Sequence, residues 1–412
     1  MSLEALKNSM PDLRSAAVSE KELFKGVIDY TRPLNEYPTV QKIVEYLKQN
    51  IKPQHIYTES LNVDGHVVQD EMEKYLANDG LSSSMLKAAL KTPLHFEFAR
   101  GEDKEALEKL TGEPPYFNIG TFLHQALLEP TKFSRAIVEP KYSLSSFEGV
   151  NIGINFYEKL INKKGIALVV HDKDGDVVVS ETAPHLAYEI FNERLVAGGY
   201  KLDSLNYKKA YLAQIIEAAD IEPVTEDNYL KIQILKRHVD NYGGGIIKRL
   251  LTHSKREVSV YHTEPMYGLD LKVRPDAIQF KENIGVDAII SVKSTACEDL
   301  DAFYSHTAKL NYDLSEGMYQ EVVSEATGRD FNTTITIMLQ TVAPYAVAVL
   351  VWGAEDIEMG KHKFKNALHN VFEIAQKESI KGYDVFAEDG NYGLINMLLP
   401  GWNQKEVLPV NI

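Results

Sequence analysis

The chain has 412 residues, 44% hydrophobic and 25% charged, with 25 Gly and 16 Pro, a balance that excludes disordered, collagen-like and low-complexity classes. Its lone cysteine, Cys297, excludes an internal disulfide framework and a Cys-cluster zinc site, and fits a reducing compartment. A formal net charge of −15 argues against a protein that coats nucleic acid by bulk charge, while leaving room for a local basic channel.

At this length, one domain of roughly 250–300 residues plus a smaller unit, or two to three modest domains, is expected. Met1 to Lys7 lacks the basic start and apolar run of a secretion signal. The longest apolar stretch, Ala343 to Trp352, is broken by Pro344 and falls far short of the roughly 20 residues of a membrane span. The expectation is a cytoplasmic protein without a membrane segment.

Residues 1–75 read as a helical N-terminal extension. Ile43, Val44, Tyr46, Leu47 and Ile51 recur at helical spacing, and Pro53 stops the helix. No catalytic constellation falls there, so packing or partner docking is the expected role. Asp79-Gly80 is turn chemistry, and Leu81-Ser-Ser-Ser-Met85 opens a hydroxyl-capped helix that ends near Thr92-Pro93. A charged connection spans residues 101–112. Residues 119–128 then form a short helix with an apolar face and His124 inside it, closed by Pro130.

Residues 140–240 read as strand fragments mixed with helices. Ala167–Val170 and Val177–Val179 flank Asp174-Gly175, a hairpin dipeptide. Glu226–Asn241 is helical, and Gly243-Gly-Gly245 ends or kinks it. With no Lys-Ser/Thr following, those glycines are not a phosphate loop.

From Val258 the pattern changes. Strands are expected over 258–262, 269–277, 288–292, 333–339 and 346–351, with a helix over 310–326 ending at Gly328 and another over 363–375. This order implies an α/β sheet with at least one crossover.

The chemistry concentrates in Leu271-Lys-Val-Arg-Pro-Asp276 and, after fourteen intervening residues, Ser291-Val-Lys293. On a strand, Lys272, Arg274 and Asp276 share one side, as do Ser291 and Lys293. A hairpin could bring Asp276 and Lys293 together at a strand end. A carboxylate holds a hard divalent cation, and a lysine orients an attacking water and offsets developing negative charge. Alone, this pair is a weak signal, since a turn aspartate and a surface lysine give the same pattern.

With its neighbours, the sequence resembles the exodeoxyribonuclease VIII-type (RecE-like) branch of the PD-(D/E)xK nuclease superfamily, over roughly Leu81 to Gln376. Leu81–His95 is similar to that family's Leu-Ser…Leu-Leu…Pro-x-His opening helix, and Gly120-Thr-Phe-Leu-His124 to its Gly-Thr-x-x-His helix, followed by Glu129-Pro130. Lys272–Asp276 matches its Lys-x-Arg-Pro-Asp strand, Val292-Lys293-Ser-Thr the end of its Asp-x-Lys-Thr-Thr strand, and Tyr319 its helical tyrosine.

The resemblance implies a restriction-endonuclease-like mixed sheet flanked by helices over residues 76–395, with helical insertions and a tail over 396–412. It implies an Mg²⁺- or Mn²⁺-dependent exonuclease acting on linear DNA in recombination or phage-type processing. His124 and Asp276 would be metal ligands, the Val292 carbonyl a further one, Lys293 the catalytic lysine, and Tyr319 a residue lining the site. Lys272 and Arg274 are candidate DNA contacts. A ring-like homo-oligomer and a single-strand annealing partner are also implied.

Two positions depart from the pattern. The acid two residues before the lysine is Ser291, and the glutamine four residues before the tyrosine is Ser315. A serine hydroxyl is a poor ligand for a hard cation. Either the fold survives as a catalytically degenerate protein that binds DNA ends or a recombination partner, or a carboxylate arrives from elsewhere. Glu316, three residues before Tyr319 on the same helix face, is the candidate. Asp287 lies about 13 Å along the strand from Ser291 and is a poor one.

Overall fold

The computed structural model describes residues 31–49, 67–101, 117–134, 136–171, 177–179, 184–221, 223–377 and 380–397. Two sheets carry the architecture, built from β1 (Val67–Val68), β2 (Lys255–Arg256), β3 (Ser259–Glu264), β4 (Leu269–Val273), β5 (Ala277–Gln279), β6 (Asp287–Thr295), β7 (Phe331–Gln340) and β8 (Val347–Val351). The smaller sheet runs β1-β3-β4, and the five-stranded sheet runs β8-β7-β6-β5-β2. In the larger sheet β6 and β7 are parallel and the other neighbours antiparallel.

The helices that frame these sheets are α1 (Val40–Gln49), α2 (Met72–Ala77), α3 (Ser83–Ala89), α4 (Phe117–Leu128), α5 (Glu226–Asn241), α6 (Leu300–Lys309), α7 (Tyr312–Thr327) and α8 (Ala354–Gln376). Parallel strands need a crossover, and α6 and α7 supply the one between β6 and β7. On one side, Leu86 of α3, Leu314 and Met318 of α7, and Phe364 and Val371 of α8 share a core with Val260, Leu271 and Ile289. On the other, Phe122 and Leu123 of α4 and Ile232 and Leu235 of α5 pack with Ala288, Ile290 and Val292.

The alternation along β6 decides where the chemistry points. Ile289 belongs to the α7 side, so Ser291 and Lys293, at the same parity, face α7 as well. The α7–α8 crossing is tight because glycines meet there. A Cβ on Gly360 would lie 2.1 Å from the Asp313 carbonyl oxygen, and one on Gly317 would lie 2.6 Å from the Lys361 nitrogen. This close approach seats Glu316 of α7 fully inside the protein, at 0% exposure.

Two expectations are corrected. The single strand over 269–277 is two strands in two different sheets, because Pro275 has no N–H to give a ladder and the chain leaves β4 after Val273. Residues 140–240 hold both strand fragments and helices, as expected: Val170–His171 pairs antiparallel with Val177–Val179, and Phe147–Lys164, Pro184–Ala197 and Leu205–Ala218 are helices around a core of their own that includes Val150, Tyr157, Phe191 and Ile215. The 1–75 segment is no separate module at its C-terminal end: Val67 and Val68 pair with β3, and Val67 joins the main core. Asp174-Gly175, much of the charged connection over 101–112, and most of the 396–412 tail lie outside the described residues.

Candidate active site

The site assembles where β4, β5 and β6 part. β5 pairs with β6 only over Ala288–Ile290, so the β6 edge is free of a strand neighbour beyond that point. Asp276, in the kink between β4 and β5, fills the gap: its Oδ2 accepts the Val292 N–H at 2.5 Å. In a strand the carbonyl of a residue points to the same side as its N–H, so Val292 turns both toward Asp276.

His124 reaches the same place from α4. Gly120 lets the helix lie on β6, since a Cβ there would sit 3.0 Å from Ser294 Oγ. This is a physical reason for glycine in Gly-Thr-x-x-His. His124 Nδ1 stands 3.6 Å from Asp276 Oδ1.

A third donor was not among the sequence candidates. Glu257, His124 and Asp276 each offer a ligand atom, all within 4.8 Å of one another. The β3–β4 hairpin puts Glu257 there. Val260 pairs with Val273, and extending that register sets Glu257 opposite Asp276, whose carbonyl accepts the Glu257 N–H at 3.2 Å. Burial pushes the Glu257 carboxyl up to about 7, with the Asp276 charge adding to the effect and Arg274 opposing it. One imidazole nitrogen and two carboxylates converging at a half-buried point suit a divalent cation with oxygen preference.

Across β6, the second half of the site gathers on α7. The Ser291 hydroxyl donates to Glu316, at 2.8 Å from Oε1 and 2.7 Å from Oε2. Lys293 Nζ lies 3.9 Å from Glu316 Oε1. Burial raises the Glu316 carboxyl above its ordinary range, against the pull of Lys293 and the Ser291 hydroxyl. Burial disfavours the Lys293 ammonium, but the charges of Asp276 and Glu316 outweigh it and hold this lysine charged above its ordinary range. Tyr319 packs against the α3–α7 core, with Ser83 as a hydrogen-bond partner; burial raises its phenol, Lys293 opposes that, and Glu316 and Asp276 reinforce it.

Lys87 of α3 also went unnoticed in sequence. Its Nζ sits 5.2 Å from the Tyr312 ring centroid, and Lys293 Nζ sits 5.4 Å from the same centroid. Burial, helped by the Lys293 charge, lowers Lys87 to about 8, with Glu316 and Asp313 opposing.

Lys272 and Arg274 are not DNA contacts. Lys272 is 3% exposed, and its Nζ donates to the carbonyls of Tyr75, Leu76 and Asn78, closing the end of α2. Arg274 donates to the Asp70 carbonyl at 2.9 Å, to Ser259 Oγ at 2.8 Å and to Glu257 Oε2 at 3.2 Å. Both cations are consumed inside the protein, and Arg274 orients Glu257. Asp287 bonds Arg329 and the Lys281 N–H, in keeping with its exclusion from the site. Ser315 is buried beside Glu316 on α7.

Residues 199–383 match the model of a family described as a PDDEXK-like domain of unknown function (DUF3799). The fold is PD-(D/E)xK-like. The matched span holds Glu257, Asp276, Ser291, Lys293 and Glu316, while Lys87 and His124 precede it. Among solved structures, the chain is similar to an exonuclease candidate from Eubacterium rectale, with 12% identity over 76% of this chain and 88% of that chain and a TM-score of 0.39. It is also similar to the protein SSO0001, with 12% identity over 44% of this chain and 85% of that chain and a TM-score of 0.19. No curated protein matches it. Among the described residues, no helix is long and apolar enough to cross a membrane.

Proposed function

We propose that this PD-(D/E)xK-like protein is a metal-dependent DNA exonuclease that hydrolyses phosphodiester bonds of linear DNA, in recombination or phage-type processing. One observation carries the reading: the Ser291 hydroxyl holds the carboxylate of Glu316, which comes from α7 to the place beside Lys293. The acid that the strand lacks is therefore present in space. A degenerate site would have no reason to bury a carboxylate next to the lysine, given what that burial costs.

In this reading His124, Asp276 and Glu257 hold a Mg²⁺ or Mn²⁺ ion, with the Val292 carbonyl turned toward the same point. A cation held there would supply positive charge against the scissile phosphate and help to activate water. Lys293, kept charged by its carboxylate neighbours, orients the attacking water and stabilises negative charge developing on phosphorus-bound oxygens. Glu316 fixes the Lys293 ammonium and is placed to accept a proton from that water. Arg274 holds Glu257 toward the donors, and Tyr319 walls the site.

The test is incubation of the purified protein with end-labelled linear duplex, with and without Mg²⁺ or Mn²⁺. Wild type should shorten the labelled strand only with metal, and folded Lys293→Ala should lose cleavage by about two orders of magnitude or more. Metal-independent cleavage, or near-normal cleavage by Lys293→Ala, would overturn the proposal.

A further inference from the structure

Lys87 stands beside the candidate active site without an anionic partner. Other cations that the fold takes in are engaged: Lys272 on three carbonyls, Arg274 on Glu257 and Ser259, Arg329 on Asp287 and Glu282, and Lys361 on Glu358 and Tyr37. Lys87 is half-buried, and among the described residues no carboxylate, carbonyl or hydroxyl pairs with its ammonium. Its Nζ is not among the sealed side-chain atoms that lack a partner, so it stays open to a ligand. Leu86 at 0% exposure and Ala89 at 4% anchor this turn of α3 in the main core, so the lysine is held in place. It lies one turn after Ser83, the hydrogen-bond partner of Tyr319, and therefore on the α3 face that meets α7.

The Tyr312 ring ties Lys87 to the chemistry, because Lys87 Nζ at 5.2 Å and Lys293 Nζ at 5.4 Å share its centroid. Their charged neighbours set the order. Asp276 and Glu316 act on Lys293, whereas Glu316 and Asp313 act on Lys87. Both of Lys87's acids are engaged elsewhere, Glu316 with the Ser291 hydroxyl and Asp313 with Lys363 of α8 at 2.6 Å. The sequence in space runs from the cation donors at Asp276, through Lys293 and Glu316, to Lys87. A half-buried ammonium with no counter-ion, set beside a second ammonium, is costly in the free protein, and a bound anion offsets that cost.

We infer that Lys87 holds the backbone phosphate adjoining the scissile one on the same DNA strand, while Lys293 serves the scissile phosphate. The geometry calls for an anion at Lys87; that the anion is a DNA phosphate rests on the nuclease reading. A strand carries one negative charge per nucleotide, so a lysine one step further from the cation donors meets the next phosphate. Such a contact reads no sequence. It sets the register of the strand, and with it which bond lies at the cation donors.

Binding of a fluorescently labelled linear duplex is measured in Ca²⁺ buffer for wild type, Lys87→Met and Lys87→Arg. Lys87→Met should weaken binding about tenfold and reduce the slope of log K against log salt by about 1, and Lys87→Arg should restore both. Because Lys87 is charged below about 8 and neutral above it, wild-type affinity should fall about tenfold from pH 7 to pH 9, and Lys87→Arg should lack that fall. Titration of Lys293, Glu316 or Tyr312 is common to both proteins and cancels in the comparison. A neutral methylphosphonate is then walked through the linkages nearest the end. At one linkage wild type should lose affinity about tenfold, and Lys87→Met should lose none. Equal salt slopes and equal responses to every neutral linkage, in a wild type that binds and cleaves, overturn the inference and leave the nuclease reading standing. Weak binding by Lys87→Met and Lys87→Arg alike, with no matching linkage, makes Lys87 a support of the α3–α7 contact and also overturns it. A wild type that neither binds nor cleaves linear DNA overturns the nuclease reading itself, and the phosphate assignment with it.

Discussion

At the residue scale, the proposed site draws from a helix, through Glu316, the acid that the resembled family carries on the strand at position 291. Asp276 and Lys293 were legible because their spacing sits in the sequence. Glu316 could be nominated because Tyr319 is three residues away on a helix. Glu257 was not nominated, although a signal existed: a β3–β4 hairpin turning at Pro265–Gly268 sets 257 across from 276. One continuous strand over 269–277 would hide this pairing, which exists because the chain changes sheet after Val273. If Glu257 is a cation ligand, Glu257→Gln should raise the Mn²⁺ or Mg²⁺ concentration for half-maximal cleavage by about tenfold or more, at nearly unchanged stability. An unchanged metal requirement in the folded variant would leave Glu257 a structural partner of Arg274.

At the element scale, helix crossings set the site as much as the strands do. Lys272 and Arg274 were misassigned because alternation reports which side chains share a face and says nothing of what covers that face. Here α2 and residues near Asp70 cover it and consume both cations. The strands over 288–292, 333–339 and 346–351 and the helix ending at Gly328 are legible because β-branched runs and that glycine mark them, whereas the Gly317–Gly360 contact depends on two segments meeting and leaves no local trace. Gly360→Ala forces a methyl against the Asp313 carbonyl, and the overpacking should cost about 1–3 kcal/mol. The expected result is a lower Tm by thermal unfolding, with reduced cleavage because α7 carries Glu316. A Tm equal to wild type would show that the crossing can open at no cost.

At the scale of the whole molecule, residues far apart in sequence close the structure around the sheet. Glu358 of α8 is 1% exposed and accepts from Thr31 N–H at 2.5 Å, Thr31 Oγ1 at 2.6 Å and the Tyr37 hydroxyl, with Lys361 Nζ 3.6 Å away. Burial pushes its carboxyl up, but these hydrogen bonds and Lys361 outweigh it, so the folded value lies below the ordinary one. The stabilisation is therefore complete above the unfolded value of about 4.3 and is lost as pH falls through the lower folded value. The Tm difference between wild type and Glu358→Gln should be largest near neutrality and shrink at acid pH; a gap independent of pH would contradict this assignment. The account as a whole depends on one transfer of charge from strand to helix, and cleavage of end-labelled linear duplex in Mg²⁺ or Mn²⁺ by three proteins tests it most directly. Wild type should cleave, Glu316→Gln should fall by about a hundredfold or more, and Ser291→Asp combined with Glu316→Gln should recover part of the loss by returning the acid to β6. An inactive wild type, or a folded Glu316→Gln protein that cleaves as wild type does, would contradict it.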